Sequence, residues 1–461
     1  MQRTLLFKIL AILGLTILIC IPLIFIANTI EERTEFRRAA VNSIAKDSVR
    51  EQTITGPMLV IRYLDEYDES IEVADGLGKR KEAKVRSVKR NFIVFPNELS
   101  IASAIETDRR YRGIHQVLVY AGQHELKGDF VMPVLSELPR ANANSRITLG
   151  RASVVLGVAD VRGIRNIPSI NWNGVKSEFK QGTELSALDT GLHADLQAVS
   201  LEQPASVAFS MGLGLDGIER QSFVPVGKNN KVSVKSPWPH PQFAGEFLPS
   251  ARDRTIDETG FSAKWEVSSL SSTAQKQIRD REDGPAHSGS RAALESFSIA
   301  FIEPVNVYSL AERATKYGLL FISLTFAAFF MFEIIKRLPI HPVQYLLVGL
   351  ALVMFFLLLV SLSEHIEFAV AYLIASAACI SLLGVYLSYV LRNWRRGVGF
   401  AAALTGLYGA LYGLLISENN ALVLGSILLF AVLAAVMVAT RKIDWYNIGK
   451  PDEEPARFVA G

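Results

Sequence analysis

The sequence predicts a mixed membrane protein: six transmembrane helices, one N-terminal anchor plus five C-terminal spans, with a large β-rich, antiparallel domain between the first span and the second. Three observations carry this. Half of the 461 residues are hydrophobic and only 20% are charged, and a mean hydropathy of +0.26 is too apolar for one water-soluble domain of ordinary composition. The apolar excess is confined to residues 9–27 and 317–440. The intervening residues 29–316 have a globular texture of short Val-, Ile-, Phe- and Tyr-rich runs, which is strand composition. The 48 Lys and Arg nearly balance the 45 Asp and Glu, which argues against a nucleic-acid partner. Two cysteines cannot build a disulfide framework, and so much Leu, Val and Ile excludes global disorder.

The first element is the anchor, residues 1–28. Ile9 to Ala27 is long enough at about 1.5 Å per residue to cross about 30 Å of hydrocarbon. Its end reads Leu23-Ile-Phe-Ile-Ala27, and bulky Phe25 stands where a signal peptidase needs a small residue, so the anchor is expected to stay uncleaved. Leu18-Ile19 before Cys20 does not suit lipidation, and Cys20 reads as a packing residue. Residues 29–52 continue as a helical stalk, with helix-forming composition and apolar spacing over Ile30 to Ala45.

After Thr55-Gly-Pro57 the texture changes to strands at Met58 to Tyr63, Asn91 to Phe95, His115 to Tyr120, Ser206 to Leu213 and Phe297 to Ile302. Gln221 to Val226 and Lys231 to Lys235 alternate around Gly227-Lys-Asn-Asn230, which predicts a hairpin. No helical crossover pattern links successive strands, so an antiparallel sandwich or layered sheet is expected. Polar, Gly-containing Ser272 to Ala293 reads as an exposed loop.

Five stretches of spanning length follow: Tyr317 to Ile335, Val343 to Leu362, Ile366 to Leu391, Val398 to Ile416 and Ala421 to Ala439. Lys336-Arg337, Arg392 with Arg395-Arg396, and Arg441-Lys442 fall at alternate connections, while Ser363 to Glu367 and Ser417 to Asn420 lack Lys and Arg. Basic connections belong in the cytoplasm. Both termini are then cytoplasmic, including a tail over residues 441–461, and the large domain lies across the membrane, in the periplasm of a bacterial cell. Arg3 and Lys8 place the N-terminus inside independently.

Ordered strings run along almost the whole chain: Thr53-Ile-Thr-Gly-Pro57, Asp160-Val-Arg-Gly-Ile164, Asn171-Trp-Asn-Gly174, Gly191-Leu-His-Ala194, Ser236-Pro-Trp-Pro-His-Pro241, Gly245-Glu-Phe-Leu-Pro249, Gly260-Phe-Ser-Ala-Lys-Trp265, Arg313-Ala-Thr-Lys-Tyr317, Ser361-Leu-Ser-Glu-His365 and Thr440-Arg-Lys-Ile-Asp-Trp-Tyr446. Together they resemble the CreD family of bacterial inner-membrane cell envelope integrity proteins. The resemblance implies an inner-membrane location and a part in envelope stress, the Cre two-component system, colicin tolerance and β-lactam response. It implies no catalytic residue, ligand or cofactor.

The chemical motifs are weak. Gly212, Gly214 and Gly217 match G-x-G-x-x-G, but strand and turn signals follow where a dinucleotide fold needs a helix, so a glycine-rich turn is expected. The seven histidines lack partners at metal-site spacing, and no cofactor is expected. Ser363, Glu364 and His365 invite a hydrolase reading, yet adjacent side chains in a turn diverge whereas a triad must converge. They read better as a helix-capping interfacial turn, or with Glu367 as a small proton-sensitive cluster. Three prolines around Trp238 and His240 fix an extended backbone, suiting either a ligand-contacting loop or a rigid connection with a buried indole. Trp172 sits similarly in an Asn-Gly turn. Gly406, Gly409 and Gly413 make a small-residue face, expected to pack helices within one protomer.

The expected protein is therefore not an enzyme. It is a multi-pass membrane protein whose outer domain binds an envelope protein or a periplasmic ligand, with the lipid bilayer as its standing partner and its oligomeric state open. The alternative is a transporter or lipid-handling protein for an uncharged or amphipathic substrate, weakened by the lack of a polar pathway through the spans.

Overall fold

The computed structural model describes residues 2–75, 78–112, 115–197, 199–284, 293–302, 307–336, 340–417 and 420–441. The chain forms two compact units, Met1–Arg38 with Val305–Gly461, and Ala39–Pro304. In chain order the elements are α1 (Gln2–Asp47), β1 (Gln52–Asp75), β2 (Gly78–Val94), β3 (Glu98–Arg112), β4 (His115–Val131), β5 (Arg146–Val158), β6 (Ser169–Trp172), β7 (Val175–Glu178), β8 (Lys180–Gln181), β9 (Gly191–Asp195), β10 (Ser206–Ile218), β11 (Arg220–Val224), β12 (Asn229–Ser236), β13 (Pro241–Gly245), β14 (Arg254–Asp257) and β15 (Gly260–Ser268). There follow α2 (Ala274–Asp283), β16 (Phe297–Phe301), α3 (Val307–Lys316), α4 (Gly318–Lys336), α5 (Pro342–Ser363), α6 (Phe368–Val390), α7 (Trp394–Ile416) and α8 (Ala421–Thr440).

The sheet unit contains two sheets of eight strands. One runs β13-β16-β11-β1-β5-β9-β8 with β2 also on β1, the other β14-β15-β12-β3-β4-β10-β6-β7. Their inner faces share one core, with the Trp265 and Phe297 rings stacked at 5.2 Å and Tyr120 against Phe301 at 5.2 Å across the layers. Alternation supplies it. Along β12 the burial pattern strictly alternates, Asn230, Val232, Val234 and Ser236 facing in.

The expected hairpin at Gly227 to Asn230 does not form. β11 pairs with β1 and β16 in one sheet, while β12 pairs with β3 and β15 in the other. Here the chain crosses between layers, and the Asn230 side chain holds the corner. Its Oδ1 accepts from Gly227 N–H at 2.7 Å, and its Nδ2 donates to the Gly227 and Val267 carbonyls at 2.8 and 2.9 Å. The chain also crosses at Pro96-Asn97, and Lys228 and Asn229 N–H donate to those carbonyls. Strands leaving adjacent crossings run side by side, so β3 and β12 pair in parallel. β1 and β11 are parallel too, and the domain is mixed rather than wholly antiparallel.

Two further expectations are corrected. Gly212 to Gly217 form no turn but lie inside β10, paired with β4 throughout; the Tyr120 phenol lies where a Gly217 side chain would be. Part of the supposed loop after Ser272 is α2, whose Ala274 and Ile278 are buried one turn apart. Polar contacts complete its seat: Glu282 accepts from Asn91 Nδ2 at 2.8 Å and Ala187 N–H at 3.0 Å, and Gln275 Nε2 donates to the Val226 carbonyl at 2.8 Å. The remainder of that stretch, 285–292, lies outside the described residues, as do His287, Glu418 and tail residues 442–461.

In the other unit, α1 and α4 to α7 are long and apolar enough to cross a membrane, and α8 adds a shorter apolar stretch, Val423–Val438. Their shared core is aromatic. Tyr408 lies 4.6 Å from Phe321 and 4.7 Å from Phe355 by ring centroid, and Tyr372 Oη donates to the Tyr408 carbonyl at 2.7 Å. Helix α3 belongs here, burying Leu310, Ala311 and Ala314.

The expected glycine packing face does not form within the chain. Gly406, Gly409 and Gly413 are exposed, and a methyl at any of them would meet open space. Close helix approach occurs instead at Gly349 of α5, where Ile19 of α1 and Phe326 of α4 fill the space of a side chain, and at Gly397 against the Ser388 backbone.

Candidate functional site

The best-formed concavity among the expected positions surrounds Trp172. β6 and β7 form an edge hairpin in which Trp172 faces Val175, joined by Asn173 and Gly174 at φ 48° and 88°; only such residues adopt left-handed backbone readily, which explains the Asn-Gly pair. The Trp172 ring lies 5.4 Å from Phe130, so its inner edge is anchored to the core. Its outer side lines a cavity of about 310 Å³ with Met132, Val175, Leu196, Val199 and Val207, and with Asn173, Ser177, Gln197 and Ser200 as polar groups. None of the lining side chains is charged. Such a site accepts an uncharged, largely apolar group and orients it through amides and hydroxyls.

Trp238 is buried at 9% exposure. Its indole Nε1 donates to the Ile302 carbonyl at 3.1 Å and the His240 carbonyl at 3.2 Å, and the Arg109 guanidinium lies 5.6 Å above its ring. Donor and ring are both engaged, so the prolines hold Trp238 as a plug while His240 stays exposed.

Glu364, His365 and Glu367 do not converge. Glu364 accepts from Tyr308 Oη at 3.3 Å and pairs with Arg33 at 3.6 Å; burial, and then the Glu364 carboxylate, push the Tyr308 phenol up to about 12. His365 Nδ1 instead meets the Ser361 carbonyl at 3.2 Å, and Ser363 Oγ donates to the Val360 carbonyl at 2.9 Å. Glu367 stands exposed as the residue before α6, and its side chain caps nothing. No hydrogen bond or ion pair joins the three among the described residues.

One serine–histidine contact escaped the sequence reading. Ser103 Oγ lies 2.8 Å from His124 Nδ1 because β3 and β4 place these residues opposite each other. Both are buried, and desolvation pulls the imidazole down to about 4, so at neutral pH His124 is uncharged. His193 is tied elsewhere, Nδ1 to the Gly182 carbonyl at 2.7 Å and Nε2 3.7 Å from Glu184. Among the described residues no three His, Cys, Asp or Glu side chains group as a metal site.

With this geometry in place, the chain can be set beside known proteins. The family model for the inner membrane protein CreD matches residues 4–446. The chain belongs to the CreD family. A relative, the inner membrane protein CreD of Escherichia coli (strain K12), is 35% identical over 461 residues, covering 100% of this chain and 98% of its own. This CreD-family chain is accordingly an inner-membrane protein with several apolar helices. Among solved structures, an M1 zinc metallopeptidase from Deinococcus radiodurans overlaps 38% of each chain at 9% identity and a TM-score of 0.19. A two-domain M1 zinc metallopeptidase mutant bound to L-tryptophan overlaps 49% of this chain and 55% of its own at 7% identity and a TM-score of 0.20. Likeness that slight says nothing about the fold or chemistry of a CreD protein.

Proposed function

We propose that the protein maintains the cell envelope and serves the envelope-stress response linked to the Cre two-component system as a non-catalytic binding module, its sheet domain held on the periplasmic face by the helices. The observation that carries this is the Trp172 cavity: uncharged, apolar-walled, rimmed by amides and hydroxyls, and without a nucleophile–base pair. The one close serine–histidine pair among the described residues is sealed in the core, and Ser363 points its proton at a backbone carbonyl. The periplasmic placement is supported by the basic connections at alternate ends of the spans.

The test places a photoreactive amino acid at Val175, which lines the cavity and is 45% exposed, in intact cells. One discrete adduct that disappears in a Trp172→Ala background supports the reading. Labelling unaffected by Trp172→Ala, or specific turnover of peptidoglycan fragments or β-lactams by the purified protein, overturns it.

A further inference from the structure

The helical unit carries a groove of about 580 Å³ between α1, α3 and the start of α4. We infer that it is a binding site for a zwitterionic phospholipid with an ethanolamine headgroup. The inference is independent of the Trp172 reading, because every lining residue lies in the helical unit.

The argument is the order of chemistry along the groove. Its α1 wall is a single stripe of the helix, residues three or four apart. Leu23, Ala27 and, from α4, Leu319 form an apolar stretch that could hold an acyl chain. The stripe becomes polar where the apolar run of α1 ends, which marks the boundary between hydrocarbon and headgroups. Lys316, the last residue of α3, reaches the groove just before Leu319; a lysine there extends its ammonium to the phosphate level. Beyond Ala27, on α1, stand Glu31 and Glu35, about 6 and 12 Å further along at 1.5 Å per residue.

Tail wall, then Lys316 with Glu312, then Glu31 and Glu35 follow the order acyl chain, phosphate, ammonium read along such a lipid; Arg38 closes the far end, and three carboxylates to two cations leave the lining net negative. Lys316 is paired with Glu312 at 2.7 Å but is 71% exposed, so it can share a phosphate at little cost. Glu31 and Glu35 are exposed and make no hydrogen bond or ion pair among the described residues, which leaves them free to accept from an ammonium. An anionic phosphatidylglycerol would bring a net negative charge to a lining that already holds three carboxylates against Lys316 and Arg38, with an uncharged glycerol where Glu31 and Glu35 stand, so the groove discriminates by headgroup.

The full-length protein is reconstituted in vesicles of equal parts phosphatidylethanolamine and phosphatidylglycerol. Either lipid in turn carries a photoreactive acyl chain as a trace, and labelled peptides are quantified by mass spectrometry. Label from phosphatidylethanolamine should concentrate in residues 20–38 and 312–319, about fivefold above label from phosphatidylglycerol, the ratio that ~1 kcal/mol of headgroup preference produces. Ala27→Trp, which fills the groove, should remove that excess, and the double variant Glu31→Gln with Glu35→Gln should bring the two lipids to equal labelling. The double variant changes only exposed side chains and stands alone should Ala27→Trp fail to insert. Labelling spread over the lipid-facing helices in proportion to their area, equal labelling by both lipids in the unaltered protein, or a headgroup preference that survives the double variant overturns the assignment.

Discussion

Among the described residues, the most deeply buried carboxylates of the two units, Asp65 and Glu333, are treated differently. In the sheet domain Asp65 is fully buried; its Oδ2 accepts from Ala141 N–H at 2.7 Å and from Nε of the partly exposed Arg90 at 3.1 Å, and the Ser145 hydroxyl stands beside the carboxylate. In the helical unit Glu333 uses both oxygens. Oε2 accepts from Tyr345 Oη at 2.8 Å, and Oε1 accepts from Ile340 N–H at 3.2 Å and from the Lys8 ammonium. The difference teaches how the surrounding solvent sets tolerance. An acid whose cationic partner is 36% exposed can share that partner with water, whereas a helix facing hydrocarbon must satisfy polar atoms from within. Glu333 does so by gathering donors from three separate segments, α1, α5 and the connection at Ile340, so one carboxylate ties them together.

The sharpest way to break this comparison is to delete both acids. Glu333→Ala strands the Lys8 ammonium, the Tyr345 phenol and a backbone N–H, and should cost about 4 kcal/mol, as removing one partner of a buried ion pair does. Asp65→Ala strands one N–H and an arginine that is 36% exposed and can turn to water; about 2 kcal/mol is expected. Thermal unfolding of the full chain in detergent, with hydrogen exchange to locate the loosened segments, reads both. Replacing the whole pair, Lys8→Met with Glu333→Leu, should recover about half of the first loss, because no unpaired charge remains even though two donors stay unmet. Equal losses for the two single variants would refute the comparison.

A buried base in the sheet domain sharpens it next. His124 is held down to about 4 by burial, against about 6.5 for an exposed imidazole. Because the folded value lies below the unfolded one, the unfolded chain takes up the proton first as pH falls. The stability this residue contributes is therefore whole above about pH 6.5, lost progressively to about pH 4 and flat below, a total of about 3 kcal/mol from ~1.4 kcal/mol per unit. Exchange of β3 and β4 amides should speed up over that window in the unaltered protein and stay level in His124→Gln. Parallel pH profiles for the two proteins would remove His124 as the cause.

Where one physical signal dominated, the sequence was readable. The spans of α4 to α7 follow their apolar runs within a few residues, because hydrocarbon demands length and little else. The strands of the domain were legible from β-branched and aromatic runs, but their partners were not. Gln221 to Lys235, around Gly227 to Asn230, carries every local mark of a hairpin, and only the seating of the Asn230 amide between Gly227 and Val267 turns it into a crossing. Helix α2 was missed because two buried apolar residues, Ala274 and Ile278, make too narrow a stripe to stand out among charges. For the candidate site, the Asn173-Gly174 turn and its aromatic anchor were visible locally. The cavity was not, since Met132, Leu196 and Val207 come from distant stretches. The Ser103–His124 contact likewise depends on a register that neither strand encodes alone.

The small-residue motif is the instructive failure, and it supplies the finest test. The three- and four-residue spacing of Gly406, Gly409 and Gly413 marks a smooth surface, but smoothness permits an approach without causing one. The approach that occurs, at Gly349, stands alone between Leu and Val, and its signal is the bulk of Ile19 and Phe326 opposite. The two places should respond to one added methyl with opposite signs. Gly349→Ala forces Ile19 and Phe326 aside and should destabilise by about 2 kcal/mol, the usual cost of overpacking. Gly409→Ala meets open space and should be neutral or gain up to about 1 kcal/mol from helix propensity. Unfolding midpoints of the two variants, measured side by side in one detergent, decide the matter. A loss at Gly409 as large as that at Gly349 would mean that this open face is covered in the assembled protein, and the helical unit would then have a second packing surface that its own chain leaves bare.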